Sequence, residues 1–300
     1  VVKTGAVSRV GIASAAGLTA RNAAQRYGFA YASSSEAEVL NDPNIHVLAV
    51  LTRHNHHARQ VLSALRAGKH VFCEKPLALT QTELDEIAEA LAQPNAPLLM
   101  VGFNRRFAPF ALRLKSFFQG AGEPLTAHYR VNAGYLPPSH WLHDPAQGGG
   151  RIIGEGCHFI DFLTDLVGAP PVSVTARSLP EGARYRQGDN ALITLTYPDG
   201  SLGSVAYISS GDKSFPKERV EVFCNGRVGV LDDFRSLELV RDGRRQVLHS
   251  RLRQDKGHLS AWQAFLNAIR EGGAPPIPYD HLIGVSAAAI QAAAQLAAAE

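Results

Sequence analysis

The chain has 300 residues, 45% of them hydrophobic and 19% charged, and a formal net charge of +3. This composition can form two hydrophobic cores, whereas the small, scattered charge excludes an extended nucleic-acid surface. The three cysteines, Cys73, Cys157 and Cys224, have no C-x-x-C spacing, which favours free thiols in the cytoplasm. The alanine-rich segment 286–300 is interrupted by glutamines, so it predicts a helix in water and no membrane span.

The first hundred residues predict a parallel α/β sheet. Apolar segments at 45–51 and 71–73 are typical of strands buried on both faces, and between them Val61, Leu62 and Leu65 lie on one helical face. A strand–helix–strand unit of this length is a parallel crossover. Further strands are predicted at 7–13 and 98–101, and further helices at 20–27, after Ser35 and after Thr80, where Glu83 completes a capping box.

From about residue 104 the pattern changes to strands separated by hairpin turns. The turns are predicted at 198–201, which is Pro-Asp-Gly-Ser, and at Asn225-Gly226. Helices are predicted from about Glu155 to Val167, over 258–270 and at the C-terminal end. The predicted strands lie at 126–133, 172–176, 191–197, 202–208, 219–223 and 228–231.

Two domains follow from this change of pattern, and the fold class is α/β plus α+β. Residues 1–103 predict a Rossmann-type parallel-sheet domain that binds a dinucleotide. Residues 104–300 predict a mostly antiparallel open sheet with helices on one face, for substrate binding and oligomerisation. Apolar positions such as Val205, Tyr207, Val220 and Val222 indicate that one face packs on helices and the other on a partner chain. We therefore expect a homodimer or homotetramer built through that sheet.

Glu74-Lys75-Pro76 places a lysine where the strand at 71–73 ends. In an open parallel sheet, ligands bind at the carboxyl ends of the strands. Pro76 fixes its own φ and restricts Lys75 to extended geometry, so the lysine is held on a stiff dipeptide. Taken alone, a lysine in these three residues is more often an ordinary exposed lysine at a strand end, but the crossover unit around it favours a functional one.

A second cluster runs from Trp141 to Asp161. Its glycine triplet, 148–150, permits a tight backbone turn that leads into a helix, on which Glu155, His158 and Phe162 share one face. A histidine there is suited to acid–base chemistry near neutral pH. A lone histidine is more often structural, and only its pairing with the lysine from the first domain favours a catalytic role.

Three segments resemble the Gfo/Idh/MocA family of NAD(P)-dependent oxidoreductases. They are 67–76, which is Ala-Gly-Lys-His-Val-Phe-Cys-Glu-Lys-Pro, 101–107, which is Val-Gly-Phe-Asn-Arg-Arg-Phe, and 148–161 with its glycine triplet and His158. The similarity is greatest to the C-terminal half of bacterial two-domain oxidoreductases whose first half resembles a zinc-type alcohol dehydrogenase. The resemblance implies hydride transfer between NAD or NADP and a secondary alcohol or ketone carbon of a small-molecule substrate, a sugar or sugar derivative.

The chain also departs from the family pattern. The first strand and its G-x-G-x-x-G phosphate loop have no counterpart, and residues 1–5 correspond to the end of the helix that follows that loop. We therefore expect a truncated piece of a longer protein that binds nucleotide weakly on its own. Where many members carry an aspartate and a Thr-Pro-Asn sequence, this chain has Gly154 and Thr52-Arg53-His54.

The resemblance also implies roles for individual residues. Ser14 would meet the ribose, and a serine accommodates a 2′-phosphate better than a carboxylate does, which favours NADP. No arginine is adjacent to pair with that phosphate, so NAD and NADP both stay open. The implied catalytic residues are Lys75 and His158. The implied cofactor-binding residues are Ser14, Thr52, His54, His57, Glu74, Lys75 and Pro76. The implied substrate-binding residues are Asn104, Arg106, Trp141, His143 and Glu155.

Three alternatives accompany this interpretation. A metal site is disfavoured, because no second ligand pair has a recognised spacing. Its ligands would come from His54, His56 and His57 together with His143, Asp144 and Glu155. A hydrolase or isomerase that uses bound NAD transiently would share the same fold and residues. A non-catalytic binding domain is suggested by the missing phosphate loop, but such a domain has no reason to keep both Lys75 and His158.

Overall fold

The computed structural model of the protein describes residues 7–250 and 253–298. The helix end expected at residues 1–5 lies outside this described part. Among the helices within it, none is both long enough and apolar enough to cross a membrane.

Short strands and helices alternate in the first domain, as the sequence predicts. The elements are β1 (Gly11–Ala13), α1 (Gly17–Tyr27), β2 (Tyr31–Ser33), α2 (Glu36–Asn41), β3 (Val47–Val50), α3 (His57–Arg66), β4 (His70–Cys73), α4 (Gln81–Leu91) and β5 (Leu99–Val101). In β4, Val71 and Cys73 are fully buried, and β5 is buried along its whole length, as expected for a strand covered on both faces.

Local signals explain where these helices begin and end. The Thr80 hydroxyl accepts a hydrogen bond from the Glu83 N–H, and the Glu83 carboxylate accepts one from the Thr80 N–H. This is the predicted capping box at the start of α4. Gly68 has φ of 73° just after α3, where a left-handed residue ends a helix. Val61, Leu62 and Leu65 of α3 are buried, as their spacing predicts.

All strand pairs of the first domain are parallel. β1 pairs with β2, and β3, β4 and β5 form a second group in that order. Within residues 7–250 and 253–298, β1 and β3 share no ladder, so the two groups remain separate sheets. The carboxyl ends of β3, β4 and β5 nevertheless point to one edge, where the loops after them meet.

The second domain is built on an eight-stranded sheet. The elements are α5 (Pro109–Phe118), β6 (Thr126–Asn132), α6 (Cys157–Val167), β7 (Ser173–Ser178), β8 (Asn190–Thr196), β9 (Leu202–Ile208), β10 (Glu218–Cys224), β11 (Arg227–Asp232), β12 (Ser236–Arg241), β13 (Arg244–His249), α7 (His258–Glu271) and α8 (Tyr279–Ala297). The strand order is β13-β12-β11-β10-β6-β9-β8-β7, and every neighbouring pair is antiparallel except β6 with β9. The predicted, mostly antiparallel sheet is therefore confirmed.

The two faces of this sheet differ in their contacts. Val205, Tyr207, Val220 and Val222 are all at most 1% exposed. The expectation that these four residues lie on both faces is wrong. Val220 and Val205 both pair with Tyr129 of β6, so all four side chains lie on the inner face. α6 covers that inner face. The outer face carries the exposed apolar side chains Leu192, Leu202 and Phe223.

The last two helices return to the first domain. The ring of Trp262 in α7 lies 5.1 Å from that of Phe72 in β4. The hydroxyl of Tyr279, at the start of α8, accepts a hydrogen bond of 3.1 Å from the Leu99 N–H of β5. These contacts hold the second domain against the parallel sheet, so the edge of that sheet and the start of α6 keep a fixed relation.

Candidate active site

Lys75 reaches across from the first domain to the second. It follows β4 directly, and its peptide bond to Pro76 is cis. Its Nζ donates a 2.6 Å hydrogen bond to the carbonyl oxygen of Gly154. Gly154 lies in a π-helical turn, Ile152–Gly156, which runs directly into α6. An ammonium has three N–H donors, so this contact orients the lysine and leaves two donors for a ligand.

His57 ties together the two loops that position Lys75. Its ring is fully buried, with Nδ1 2.6 Å from the Pro76 carbonyl oxygen and Nε2 3.0 Å from the Thr52 carbonyl oxygen. Pro76 follows β4 and Thr52 follows β3. The histidine therefore fixes the backbone on both sides of the edge, and its two nitrogens are occupied by protein groups.

His54 lies beside the lysine's carbonyl partner. Its Nδ1 is 2.8 Å from the carbonyl oxygen of Gly148, and its ring centroid is 4.8 Å from that of Trp141 in an edge-on contact. Burial lowers the pKa of His54 to about 4 against the opposing effect of the Gly148 hydrogen bond, and the charge of Lys75 adds to the lowering. The imidazole is therefore neutral at neutral pH.

Steric crowding explains why position 154 is a glycine. A Cβ there would lie 2.9 Å from Cε1 of His54 and 2.7 Å from a methyl carbon of Leu142. Gly148 is equally constrained, since its Cβ would lie 2.4 Å from the backbone of Leu142. His54 thus occupies the space that a side chain at 154 would need, and the two departures from the family pattern are parts of one arrangement.

Glu155 is held by two residues of the second domain. Its carboxylate accepts hydrogen bonds from the Tyr207 hydroxyl and, at 3.0 Å, from Nη2 of Arg151. Burial raises the pKa of Glu155, but Arg151 and the Tyr207 hydroxyl more than offset this, and the charge of Lys75 acts in the same direction. The pKa is lowered overall, so the carboxylate is ionised and supplies a fixed negative charge near Lys75.

His158 stands on the first turn of α6. Its ring packs edge-on to Phe103, with centroids 6.1 Å apart, and its Nδ1 is buried without a hydrogen-bond partner among the described residues. Burial, followed by the charges of Arg105 and Lys75, lowers its pKa well below the usual 6.5. A neutral imidazole with an unsatisfied ring nitrogen can exchange a proton with a ligand.

The carboxyl edge of the parallel strands carries groups that fit a nicotinamide dinucleotide. Glu74 lies against Gly102, where a Cβ would be 3.1 Å from its carboxylate. The Ser14 backbone joins β2 through a 3.2 Å bond to Ser33, which leaves a hydroxyl at the end of β1. Leu18 and Leu51, 72% and 68% exposed, add apolar surface that a flat ring can cover.

Two other predicted residues have protein partners instead. Asn104 donates a 2.6 Å hydrogen bond to the Lys256 carbonyl oxygen. Arg106 pairs with Asp161 and, at 3.2 Å, with Asp165. A third, His143, has Nδ1 3.9 Å from Asp189, beyond hydrogen-bond distance, and its Nε2 is buried without a partner in the described part of the chain. Their assigned roles toward substrate remain predictions, and the structure does not bring them into the group around Gly154.

The sequence reasoning missed the residues that hold Glu155. Arg151 lies four residues before it, which is a spacing that indicates contact on a helix. Tyr207 comes from β9 and could be found only from the strand register. Lys217 was also missed; burial lowers its pKa, and its charge acts on His158. Within the described ranges, no three His, Cys, Asp or Glu side chains are grouped closely enough to hold a metal ion.

The class of protein follows from three features, which are a dinucleotide-type parallel sheet, a lysine at its carboxyl edge and a neutral histidine on a facing domain. Together they define a nicotinamide-dependent oxidoreductase. A family model described as "Oxidoreductase family, NAD-binding Rossmann fold" matches residues 4–103. A model described as "GFO/IDH/MocA C-terminal domain" matches residues 119–227. The chain belongs to the GFO/IDH/MocA oxidoreductase family, and both the predicted fold and the predicted NAD-binding class are confirmed.

Individual relatives are also similar. Levoglucosan dehydrogenase of Pseudarthrobacter phenanthrenivorans is 30% identical over 226 residues, which cover 72% of this chain and 56% of that protein. Inositol 2-dehydrogenase 2 of Paenarthrobacter aurescens is 28% identical, with 82% and 75% covered. The chain thus spans little more than half the length of the first of these relatives. A solved levoglucosan dehydrogenase in complex with NADH and levoglucosan is 25% identical, with a TM-score of 0.82 over 96% of this chain and 89% of that chain.

Proposed function

We propose that this protein is an NAD-dependent dehydrogenase that oxidises a secondary alcohol of a sugar or polyol. The observation that carries the proposal is the Lys75 ammonium, held 2.6 Å from the Gly154 carbonyl oxygen, next to the neutral rings of His54 and His158. A cation and a proton acceptor together are what alcohol oxidation requires. The reverse reduction uses the same groups.

Each group has a defined part in this reaction. NAD, when bound, accepts the hydride from the alcohol carbon. The free N–H donors of Lys75 bind the substrate oxygen and stabilise the negative charge that develops there. His158 takes the hydroxyl proton, directly or through Lys75, because its buried neutral ring has an unsatisfied nitrogen. Glu155 keeps a negative charge near the lysine and so keeps the ammonium in place.

The cofactor and the domain roles complete the proposal. The choice of NAD over NADP is supported by the family description and by the NADH in the similar solved structure. Residues 1–103 would bind the dinucleotide through Ser14, Thr52 and Glu74, and residues 104–300 would bind the substrate. The free, buried thiols of the three cysteines support a cytoplasmic location.

We also propose a homodimer or homotetramer through the outer face of the eight-stranded sheet. Leu192, Leu202 and Phe223 are 60%, 47% and 43% exposed on that face. Leu202 and Phe223 both pair with Thr126, so they stand in one row across three strands. A flat sheet face with such a row of exposed apolar side chains is suited to burial against a second copy.

An absorbance assay for NADH tests the proposed activity. The protein is incubated with NAD and, separately, with levoglucosan, myo-inositol and glucose, at pH 7 to 9. We expect NADH to form with at least one of these polyols and the rate with NADP to be lower. If polyol is consumed without net NADH, the chemistry is that of a transient oxidation, and if no polyol reacts in either direction the proposal is wrong.

A further inference from the structure

His54 has a fixed tautomer. Its Nδ1 lies 2.8 Å from the Gly148 carbonyl oxygen, and a carbonyl oxygen only accepts hydrogen bonds. Nδ1 must therefore carry the hydrogen. In a neutral ring the other nitrogen, Nε2, then carries the lone pair and can only accept. Burial keeps the pKa of His54 near 4, so this state persists at neutral pH.

The ring is also fixed in position. Trp141 packs edge-on against it at 4.8 Å between centroids, and the His57 ring lies 5.6 Å away on a second side. The guanidinium of Arg53 lies 4.9 Å from the Trp141 ring, which holds the tryptophan in turn. Only 8% of His54 is exposed. An imidazole packed on two sides and bonded at Nδ1 keeps its Nε2 lone pair in one direction.

His54 lies next to the group that orients the proposed catalytic lysine. The Gly154 carbonyl oxygen accepts from Lys75, and a Cβ on the same glycine would be 2.9 Å from Cε1 of His54. The ring atoms nearest to that Cβ position are Cε1 and Nδ1, at 2.9 and 3.3 Å, so Nε2 is not among the atoms that crowd Gly154. Among the described residues, Nε2 has no hydrogen-bond partner. The charge of Lys75 also acts on the His54 ring, so this unpaired acceptor and the lysine's free donors belong to one site.

We infer that His54 Nε2 accepts a hydrogen bond from a second hydroxyl of the substrate, on the carbon next to the one that is oxidised. Lys75 binds the reacting oxygen as a donor, and His54 binds its neighbour as an acceptor. The substrate class is therefore a vicinal diol, and His54 determines specificity for it. This inference rests on the proposed function and changes the role of His54 from the cofactor side to the substrate side.

Binding and turnover of two ligands test this assignment. The ligands are myo-inositol and 1-deoxy-myo-inositol, which lacks a hydroxyl next to C2, and both are measured with NADH or NAD present. The variant H54N keeps an amide donor for Gly148 and removes the ε acceptor. We expect H54N to weaken myo-inositol binding and kcat/KM roughly ten- to hundredfold, as for a lost buried hydrogen bond, and to leave the deoxy ligand within twofold. The exposed neighbour variant H56N is the matched control and should match the wild type for both.

The outcomes separate this inference from the proposed function. An equal loss for both ligands, or a weaker affinity for NADH with unchanged discrimination, overturns the inference alone. A selective loss of binding without any turnover overturns the proposed function alone. If the wild type binds neither polyol, the inference is wrong.

Nitrogen NMR of the wild-type protein gives a test that needs no variant and no activity. With 15N-labelled histidine, the resonances of His54, assigned by comparison with H54N, report which ring nitrogen carries the hydrogen. We expect the Nδ1–H tautomer at pH 7. The Nε2–H tautomer would make Nε2 a donor and would overturn the inference.

Discussion

Two clusters of buried charged and polar groups lie near α6, and they differ in how fully they are paired. Glu218 has no exposed surface. Its two carboxylate oxygens accept hydrogen bonds of 2.7 and 3.0 Å from Arg105. They also accept one of 2.6 Å from Lys256 and one of 2.5 Å from the Tyr129 hydroxyl. Around Gly154, by contrast, His158 Nδ1 is buried without a partner among the described residues, and His54 is hydrogen-bonded there through Nδ1 and not through Nε2.

The difference separates structural charges from functional ones. A buried charge costs free energy unless its partners satisfy it, and Glu218 meets that condition in full. The site around Lys75 leaves donors and acceptors open, which is stable only because a ligand or water can complete them. We expect substitutions in the first cluster to change stability, and substitutions in the second to change activity.

The largest expected change in stability is that of Glu218→Gln. Burial opposes ionisation of Glu218, but Arg105 and Lys256 outweigh it and lower its pKa from 4.5 to about 2. This shift corresponds to about 3 kcal/mol of stability. Because the folded-state pKa is depressed, the contribution is complete above pH 4.5 and is lost as the pH falls toward 2. Urea unfolding should show a loss of about 3 kcal/mol at pH 7 that shrinks through this window.

The control for that experiment is Glu238→Gln. Glu238 pairs with Arg245 on the surface, where solvent screens the charges, so its unfolding free energy should match the wild type. Equal effects of the two substitutions, or a Glu218→Gln effect that does not depend on pH, would show that the buried network does not stabilise the fold.

A smaller effect, on activity, is expected for Glu155→Gln. The substitution removes the charge that accepts from Arg151 and Tyr207, and a hydrogen bond to a charged group contributes about 1.5–3 kcal/mol. We expect kcat/KM to fall roughly ten- to hundredfold. Because the pKa of Glu155 is lowered, the carboxylate does not titrate between pH 6 and 9, and the factor should be constant over that range.

The surface pair Glu238–Arg245 provides the comparison here too, since Glu238→Gln removes an ion pair between β12 and β13. It should leave kcat/KM unchanged. If Glu155→Gln altered kcat/KM by a factor that varied with pH, Glu155 would itself be the titrating group and the assignment of His158 would need revision.

The smallest effect on activity is expected at the outer face of the large sheet. The double substitution Leu202→Asp and Phe223→Asp places two charges in its exposed apolar row, and sedimentation at micromolar concentration should show the assembly dissociate. The rate per chain should change less than twofold. Leu112→Asp, at a 52% exposed residue of α5, should leave the assembly intact. A monomeric wild type would contradict the proposed interface.

Local sequence rules predicted the parts of the fold that depend on neighbouring residues. The capping box at Thr80 and the hairpin at Asn225-Gly226 form as predicted, and both turn residues have positive φ, 43° and 71°. The strands β12 and β13 were missed. Their turn, Asp242-Gly243, carries a clear hairpin signal, but it lies among charged residues that hid the alternation.

The site was predicted only where a residue's position in an element decides its direction. Lys75 lies at a strand end and His158 on the first turn of a helix, and both places followed from the sequence. Long-range pairing could not be predicted. Arg106 was assigned to the substrate because nothing near it in sequence shows that Asp161, 55 residues later, would pair with its guanidinium. The contact of Tyr207 with Glu155 depends in the same way on tertiary packing.

The most direct test of the account compares two properties of Lys75→Met, the turnover number with NAD and the best polyol, and the free energy of unfolding. Lys75 has one hydrogen bond within the described part of the protein, so its loss should change stability little, by less than about 1 kcal/mol. We expect the turnover number to fall by roughly 10² to 10⁴, the range for a removed acid–base group. A folded Lys75→Met protein with near-normal turnover would contradict it.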